Sequence, residues 1–173
     1  ACALAVLAVG IRPEAGLARE AGLEIGPSGG IVVDDRMRTS DPDIFAVGDA
    51  VETPDLVTGR RGMVPLAGPA NRQGRIAANH ILGGLPDRYT ATQGTSIVGV
   101  FDLTIGTTGA SERALGRAGI EYRRAYLHPT NHAGYYPGAS QMHIKLLFAP
   151  GDGRVLGAQI VGRGGVDKRI DVL

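Results

Sequence analysis

Two short stretches of this chain combine residue types and spacings that could do chemistry. The first is "TSDPDIFAVGDA" (Thr39–Ala50), in which an apolar run, "DIFAVGDA", leads into Gly48 and Asp49. Read as a strand, it delivers Gly48 and Asp49 at its carboxyl end, where α/β folds bind ligands. Gly48 permits a close backbone approach, and the Asp49 carboxylate can accept a hydrogen bond from a sugar-like hydroxyl. The segment "PLAGPANRQG" (Pro65–Gly74) then reads as a helix start, whose free N–H groups can face a carbonyl or an anion. Together they suit a polyol-bearing ligand with an electron-rich ring. A bare Gly-Asp, taken alone, reads more simply as a turn whose Asp49 caps a helix. The second stretch is "NHAGYYPGA" (Asn131–Ala139), where Tyr135 and Tyr136 stand side by side between Gly134 and Pro137. The chain has five Tyr, three Phe and no Trp, so two adjacent Tyr in a tight loop ask for a reason. On the residues alone, packing at a subunit interface is the heavier reading, because Tyr is amphipathic.

The elements that must position these residues follow from local pattern. Residues 3–9, "ALAVLAV", closed by Gly10, read as a strand buried on both faces. "PEAGLAREAGL" (Pro13–Leu23) reads as a short helix with Pro at its start. "GGIVVDD" gives a strand after a Gly-Gly turn, and "DIFAVGDA" gives the next. "GPANRQGRIAANHILGG" (Gly68–Gly84) reads as a helix with Ile76, Ala77, His80 and Ile81 along one side, stopped by Gly83-Gly84. Composition shifts at "LPDRYTATQG" (Leu85–Gly94), which predicts one domain over residues 1–88 and a second over 89–173. In the second, "TSIVGVFDLTIGTTG" predicts two strand segments and "SERALGRAG" a helix capped by Ser111. "IEYRRAYLHP" predicts a strand, and "MHIKLLFAPGDGRVLGAQIVG" a hairpin about Pro-Gly-Asp-Gly. "GVDKRIDVL" begins a final helix. The expected fold class is therefore α/β followed by α+β with a mainly antiparallel sheet.

Composition narrows the function. The chain has 173 residues, 43% hydrophobic and 20% charged, with a formal net charge of +1, so it can build a core and lacks the basic bias of a nucleic-acid binder. Pairs such as Arg60-Arg61 and Arg123-Arg124 read as solvated turns or strand edges. No apolar run reaches membrane-spanning length. Cys2 is the single cysteine, so nothing implies an oxidising compartment, and a cytoplasmic location is expected. Cys2 itself reads as an inert core residue. The four His (His80, His128, His132 and His143) have no zinc-site spacing, so no metal is expected. His80 reads as helix surface or interface and His143 as strand edge. The apolar start without Met and the abrupt "DKRIDVL" end suggest a piece of a longer protein.

Taken together, these strings resemble the flavin-dependent pyridine nucleotide-disulfide oxidoreductases. "TSDPDIFAVGDA" resembles their second FAD-binding motif. "VLAVGIRP" (Val6–Pro13) resembles the segment, here residues 1–10, returning from the NAD(P) domain, and "VPLAGPANRQGRIAANHI" the helix beneath the flavin. "TQGTSIVGVFDLT", "HPTNHAGYYPGA" and "GVDKRIDVL" resemble the dimerisation domain, in the branch of coenzyme A-disulfide reductases, NADH oxidases and persulfide reductases. The resemblance implies the end of a Rossmann-like FAD-binding domain followed by an α+β dimerisation domain, a homodimer through residues 89–173, and FAD and NAD(P)H as cofactors. It places the ribityl contact on Asp49, makes Gly48 beside it a cofactor-binding position, and puts the flavin-ring contact on the backbone of Leu66, Ala67 and Gly68. It makes Asn71 and Asn131 candidate coenzyme A contacts, although Asn71 reads equally as an ordinary first-turn polar residue. It makes Tyr135, with Tyr136 in reserve, the phenol that reaches the catalytic thiol of the other subunit, where it can give a hydrogen bond or proton to a leaving thiolate. The implied substrate is coenzyme A disulfide or a related small disulfide or persulfide. An NADH oxidase on the same scaffold, or a non-catalytic dimerisation module, are the alternatives. Two family features have no match. G-x-G at Gly151/Gly153 and at Gly162/Gly164 does not complete a G-x-G-x-x-G loop, and Cys2 does not match the active-site cysteine.

Overall fold

The computed structural model describes residues 2–83 and 85–173. The chain forms two compact units, Ala1–Thr53 with Gly62–Tyr89, and Pro54–Arg61 with Thr90–Leu173.

In the first unit, helix α1 (Gly16–Glu20) is shorter than the Pro13–Leu23 pattern suggests, and Pro13 lies ahead of its first turn. Strand β1 (Ile31–Val32) pairs in parallel with β2 (Val51–Pro54), and the sheet order continues to β3 (Arg61–Gly62). Helix α2 (Ala67–Ile81) lays Ile76 and Ala77 on a core of Val33, Met37, Val51 and Tyr89. Its expected stop falls partly on Gly84, outside the described residues; Gly83 has the left-handed backbone that ends a helix (φ +68°).

Two sequence expectations fail in this unit. Residues 3–9 form no strand, and Leu4, Val6, Leu7 and Val9 are exposed. Apolarity makes a run buriable, but a strand also needs a neighbour to satisfy its N–H and C=O groups, and this run pairs with none among the described residues. Cys2 is consequently exposed and is no core residue. The run Asp43–Ala50 is not a strand either. It makes one bridge, Phe45 to Arg38, and Gly48–Ala50 is a single 3-10 turn leading into β2. Gly48 has φ +84°, which breaks an extended run at that point. Gly48 and Asp49 therefore precede the strand and do not close one.

The second unit follows its local signals closely. β4 (Ser96–Val100) and β5 (Leu103–Gly109) form a hairpin, and α3 (Glu112–Ala118) begins where the Ser111 hydroxyl accepts the Ala114 N–H at 3.2 Å. β6 (Arg123–Leu127), β7 (Met142–Phe148), β8 (Val155–Gly162) and α4 (Val166–Val172) complete it. The sheet is antiparallel throughout, in the order β4-β5-β8-β7-β6. Strand alternation puts Met142, Ile144 and Leu146 of β7 on one face, under Val166 and Ile170 of α4. Leu147 points to the other face and packs with Leu115 of α3. Pairing of β7 with β8 skips from Gly157 to Val155, so Leu156 is an extra residue. This bulge turns Leu156 onto the α3 cluster, away from the face its spacing from Ala158 would give it. β7 is an interior strand, and His143 is its exposed second residue. No helix among the described residues is long and apolar enough to cross a membrane.

Candidate functional site

The first unit gathers the Gly-Asp turn against the start of α2. The Gly48 N–H donates to Gln73 Oε1 at 2.7 Å, and a side chain on Gly48 would meet only the methyl of Ala70. Gln73 is buried, one turn before Ile76 and Ala77 on the same helix face. It is the residue holding the Gly-Asp turn that sequence reasoning missed. The available signal was a polar side chain on the apolar face of a helix, where burial demands a partner. With Gly48 clamped, the exposed Asp49 carboxylate has no hydrogen-bond or ion-pair partner among the described residues.

Helix α2 begins without a cap. Leu66 stands at the N-cap position in extended conformation (φ −135°, ψ 140°) and has no side-chain acceptor to offer. Pro69 supplies no N–H, and the N–H groups of Ala67 and Gly68 lie in the first turn, where no carbonyl of the helix can reach them. Both residues are exposed, and a side chain on Gly68 would meet nothing. The first turn also has no acidic residue to offset the positive helix end. Asn71 is exposed, and its Nδ2 donates back to the Ala67 carbonyl at 3.3 Å. Gly48, Asp49, Leu66, Ala67, Gly68 and Asn71 thus lie on elements that Gln73 and Ala70 bring together. The chemistry on offer is a hydroxyl acceptor beside uncapped donors at a positive helix terminus.

The second unit holds the tyrosine loop. Its neck is closed by a bridge between Thr130 and Gln141 and by Met142 N–H donating to the Pro129 carbonyl at 2.8 Å. Asn131 organises the loop from inside. Its Oδ1 accepts the N–H of His132 and of Ser140, each at 3.0 Å, and its backbone N–H donates to the Ser140 carbonyl at 2.9 Å. Tyr135 is 84% exposed and Tyr136 60% exposed, with ring centroids 4.9 Å apart. His132 approaches Tyr136 edge-on at 6.4 Å. The loop therefore presents two phenols to solvent on a fixed base. Spacing had scattered the histidines, but the fold brings His128 and His143 together, Nδ1 to Nδ1 at 2.8 Å.

These features define a chain whose first unit sets an uncapped helix terminus beside a Gly-Asp turn and whose second is an α+β sheet domain. Residues 1–74 match the family described as pyridine nucleotide-disulphide oxidoreductase, and residues 95–173 match its dimerisation domain. The chain belongs to the pyridine nucleotide-disulphide oxidoreductase family. It is 36% identical over 159 residues to the NAD(P)H sulfur oxidoreductase (CoA-dependent) of Pyrococcus abyssi, covering 92% of this chain and 35% of that protein. It is 32% identical over 165 residues to the coenzyme A disulfide reductase of Staphylococcus haemolyticus, covering 95% of this chain and 37% of that protein. Among solved structures, reduced Bacillus anthracis CoADR-RHD superposes with a TM-score of 0.91 at 50% identity, covering 95% of this chain and 30% of that one. The chain thus spans about a third of the length of these proteins.

Proposed function

We propose that the chain is a working part of a homodimeric flavoprotein that uses NAD(P)H to reduce coenzyme A disulfide or a related small disulfide or persulfide. In this reading residues 1–88 end an FAD-binding domain and residues 89–173 form the dimerisation domain. The observation that carries it is the uncapped start of α2 beside the Gly48–Asp49 turn held by Gln73. The groups present fit a flavin. Asp49 supplies an acceptor for a ribityl hydroxyl, and Gly48 leaves the approach open. The N–H groups of Ala67 and Gly68, with the backbone of Leu66, face negative charge with the positive end of the helix. When bound, FAD supplies the two-electron carrier between a nicotinamide and a disulfide. Asn71 and Asn131 are proposed to contact the coenzyme A moiety; for Asn131 the free group is Nδ2, since Oδ1 is engaged inside the loop. Tyr135, or Tyr136 beside it, is proposed to act on the other subunit's site, giving a hydrogen bond or proton to the departing thiolate.

In the full-length protein, Asp49→Ala is expected to weaken FAD retention, read from the flavin absorption band after gel filtration. Tyr135→Phe is expected to lower turnover of coenzyme A disulfide by about 100-fold, the lower end for losing a general acid. Unchanged turnover in both Tyr135→Phe and Tyr136→Phe would remove the catalytic role of the loop. Faster turnover of oxygen than of any disulfide or persulfide would assign the scaffold to an oxidase.

A further inference from the structure

We propose that His128 and His143 form a two-imidazole chelate for a divalent late first-row transition-metal ion, at the neck of the tyrosine loop. The two rings meet because of register. Leu127, the last residue of β6, pairs with Ile144 of β7, so one further step along the antiparallel ladder sets position 128 across from position 143. The backbone beneath the pair is held on both sides. On the loop side are the Thr130–Gln141 bridge, the Met142 N–H on the Pro129 carbonyl and the Gln141 side-chain amide donating to the His128 carbonyl at 3.2 Å. On the sheet side is the ladder itself. The rings are edge-on, 5.0 Å between centroids and 65° between planes, with Nδ1 facing Nδ1 at 2.8 Å.

That contact admits one proton between two nitrogens, and each nitrogen has its lone pair directed at the same point when that proton is gone. Neutral imidazole is a common ligand for zinc, copper and nickel. With metal–nitrogen bonds near 2.0–2.1 Å in a tetrahedral arrangement, two nitrogens on one ion stand about 3.3 Å apart. The pair needs to open by about half an ångström, within the reach of two exposed side chains. Both residues are exposed, so water can fill the remaining positions. Neither ring hydrogen-bonds another side chain among the described residues, so nothing must be displaced. The nearest cation on that face of β7, Lys145, is already committed to Glu112 at 2.5 Å. No group of three or more His, Cys, Asp or Glu among the described residues could hold a metal, so this is a site of two protein ligands. Metal in place of the proton would tie residues 128 and 143 together and brace the loop that carries Tyr135 and Tyr136.

The test is calorimetric titration of the chain with ZnCl2 and with CuCl2, alongside nitrogen-15 NMR of labelled histidine. The expected result is one saturable equivalent, tighter for copper than for zinc, weaker at pH 5.5 than at 7.5 because protons compete for the same nitrogens. The Nδ1 signals of two rings, assigned to His128 and His143, should move together. Binding should be lost in His128→Gln and in His143→Gln and kept in His132→Gln and His80→Gln, with circular dichroism checking the fold of each. Should a variant not fold, the histidine shifts of the unsubstituted chain still decide. No saturable uptake, uptake that survives both single substitutions, or shifts confined to His132 or His80 would overturn the proposal.

Discussion

At the scale of single residues, Gln73 and Glu52 carry constraints that their neighbours depend on. Gln73 Oε1 is the acceptor for the Gly48 N–H, so Gln73→Leu leaves that donor unpaired in a partly buried place. The substitution is expected to cost about 1–3 kcal/mol in chemical denaturation. It should also weaken flavin binding more than a surface change such as Arg75→Gln does. Glu52 is fully buried and takes the Ser28 N–H at 2.6 Å and the Ser28 hydroxyl on Oε1. A side chain at Gly26 or Gly30 would collide with it. Glu52→Ala is therefore expected to loosen the turn before β1, seen as faster amide exchange at Ser28. Among residues legible in the sequence, Asp49 stood out because Gly-Asp recurs in a longer string. Gln73 did not, since its use depends on a turn that lies 25 positions earlier in the chain. His128 and His143 were illegible for a similar reason, because only the strand register across a long loop joins them.

At the scale of elements, α3 is fixed to the sheet by charge as well as by Leu115. The Glu112 carboxylate receives Lys145 of β7 at 2.5 Å and Arg124 of β6 at 2.9 Å. Lys145 first, and Arg124 second, hold the Glu112 carboxyl below the usual carboxylate range. A carboxyl lowered in the folded state contributes stability that is full above its unfolded value, near 4.3, and is lost as pH falls through the folded value. The thermal stability gap between the parent chain and Glu112→Gln should therefore be present at pH 7 and close as pH falls below about 4. Ser111→Ala, at the head of the same helix, is expected to cost about 1 kcal/mol at any of these pH values, since a hydroxyl cap does not titrate. Such elements were readable because their signals are local: a Ser three residues before a backbone donor, alternating apolar residues, a Pro-Gly-Asp-Gly turn. The runs at residues 3–9 and 43–50 were misread because apolarity reports that a segment can be buried, and only a neighbouring strand makes it β. The bulge at Leu156 shows the same limit within a correctly read hairpin. Period-2 spacing put Leu156 with Ala158, and one unpaired residue moved it to the opposite face.

For the whole molecule, the second unit leaves apolar surface at the β4–β5 end. Val98, Val100 and Leu103 are exposed, and Phe101 at the turn is fully exposed. Phe101 also sits at φ +54°, a conformation that suits glycine and strains an aromatic residue. Should the proposed homodimer form through this end of the sheet, Phe101→Gly would act in two directions. The isolated protomer should gain up to about 1 kcal/mol through relief of that backbone, while sedimentation should show weaker self-association. Gain of stability with unchanged association would remove Phe101 from the interface. A different consequence attaches to residues 3–9. The run is uncharged, free of proline, rich in valine and leucine, and exposed without a strand neighbour among the described residues. Segments of that composition template one another edge to edge in stacked, fibre-forming arrays. A segment of that composition favours fibre formation when the chain is held at high concentration, and a lone Leu7→Lys gatekeeper is expected to lengthen the lag before thioflavin fluorescence rises.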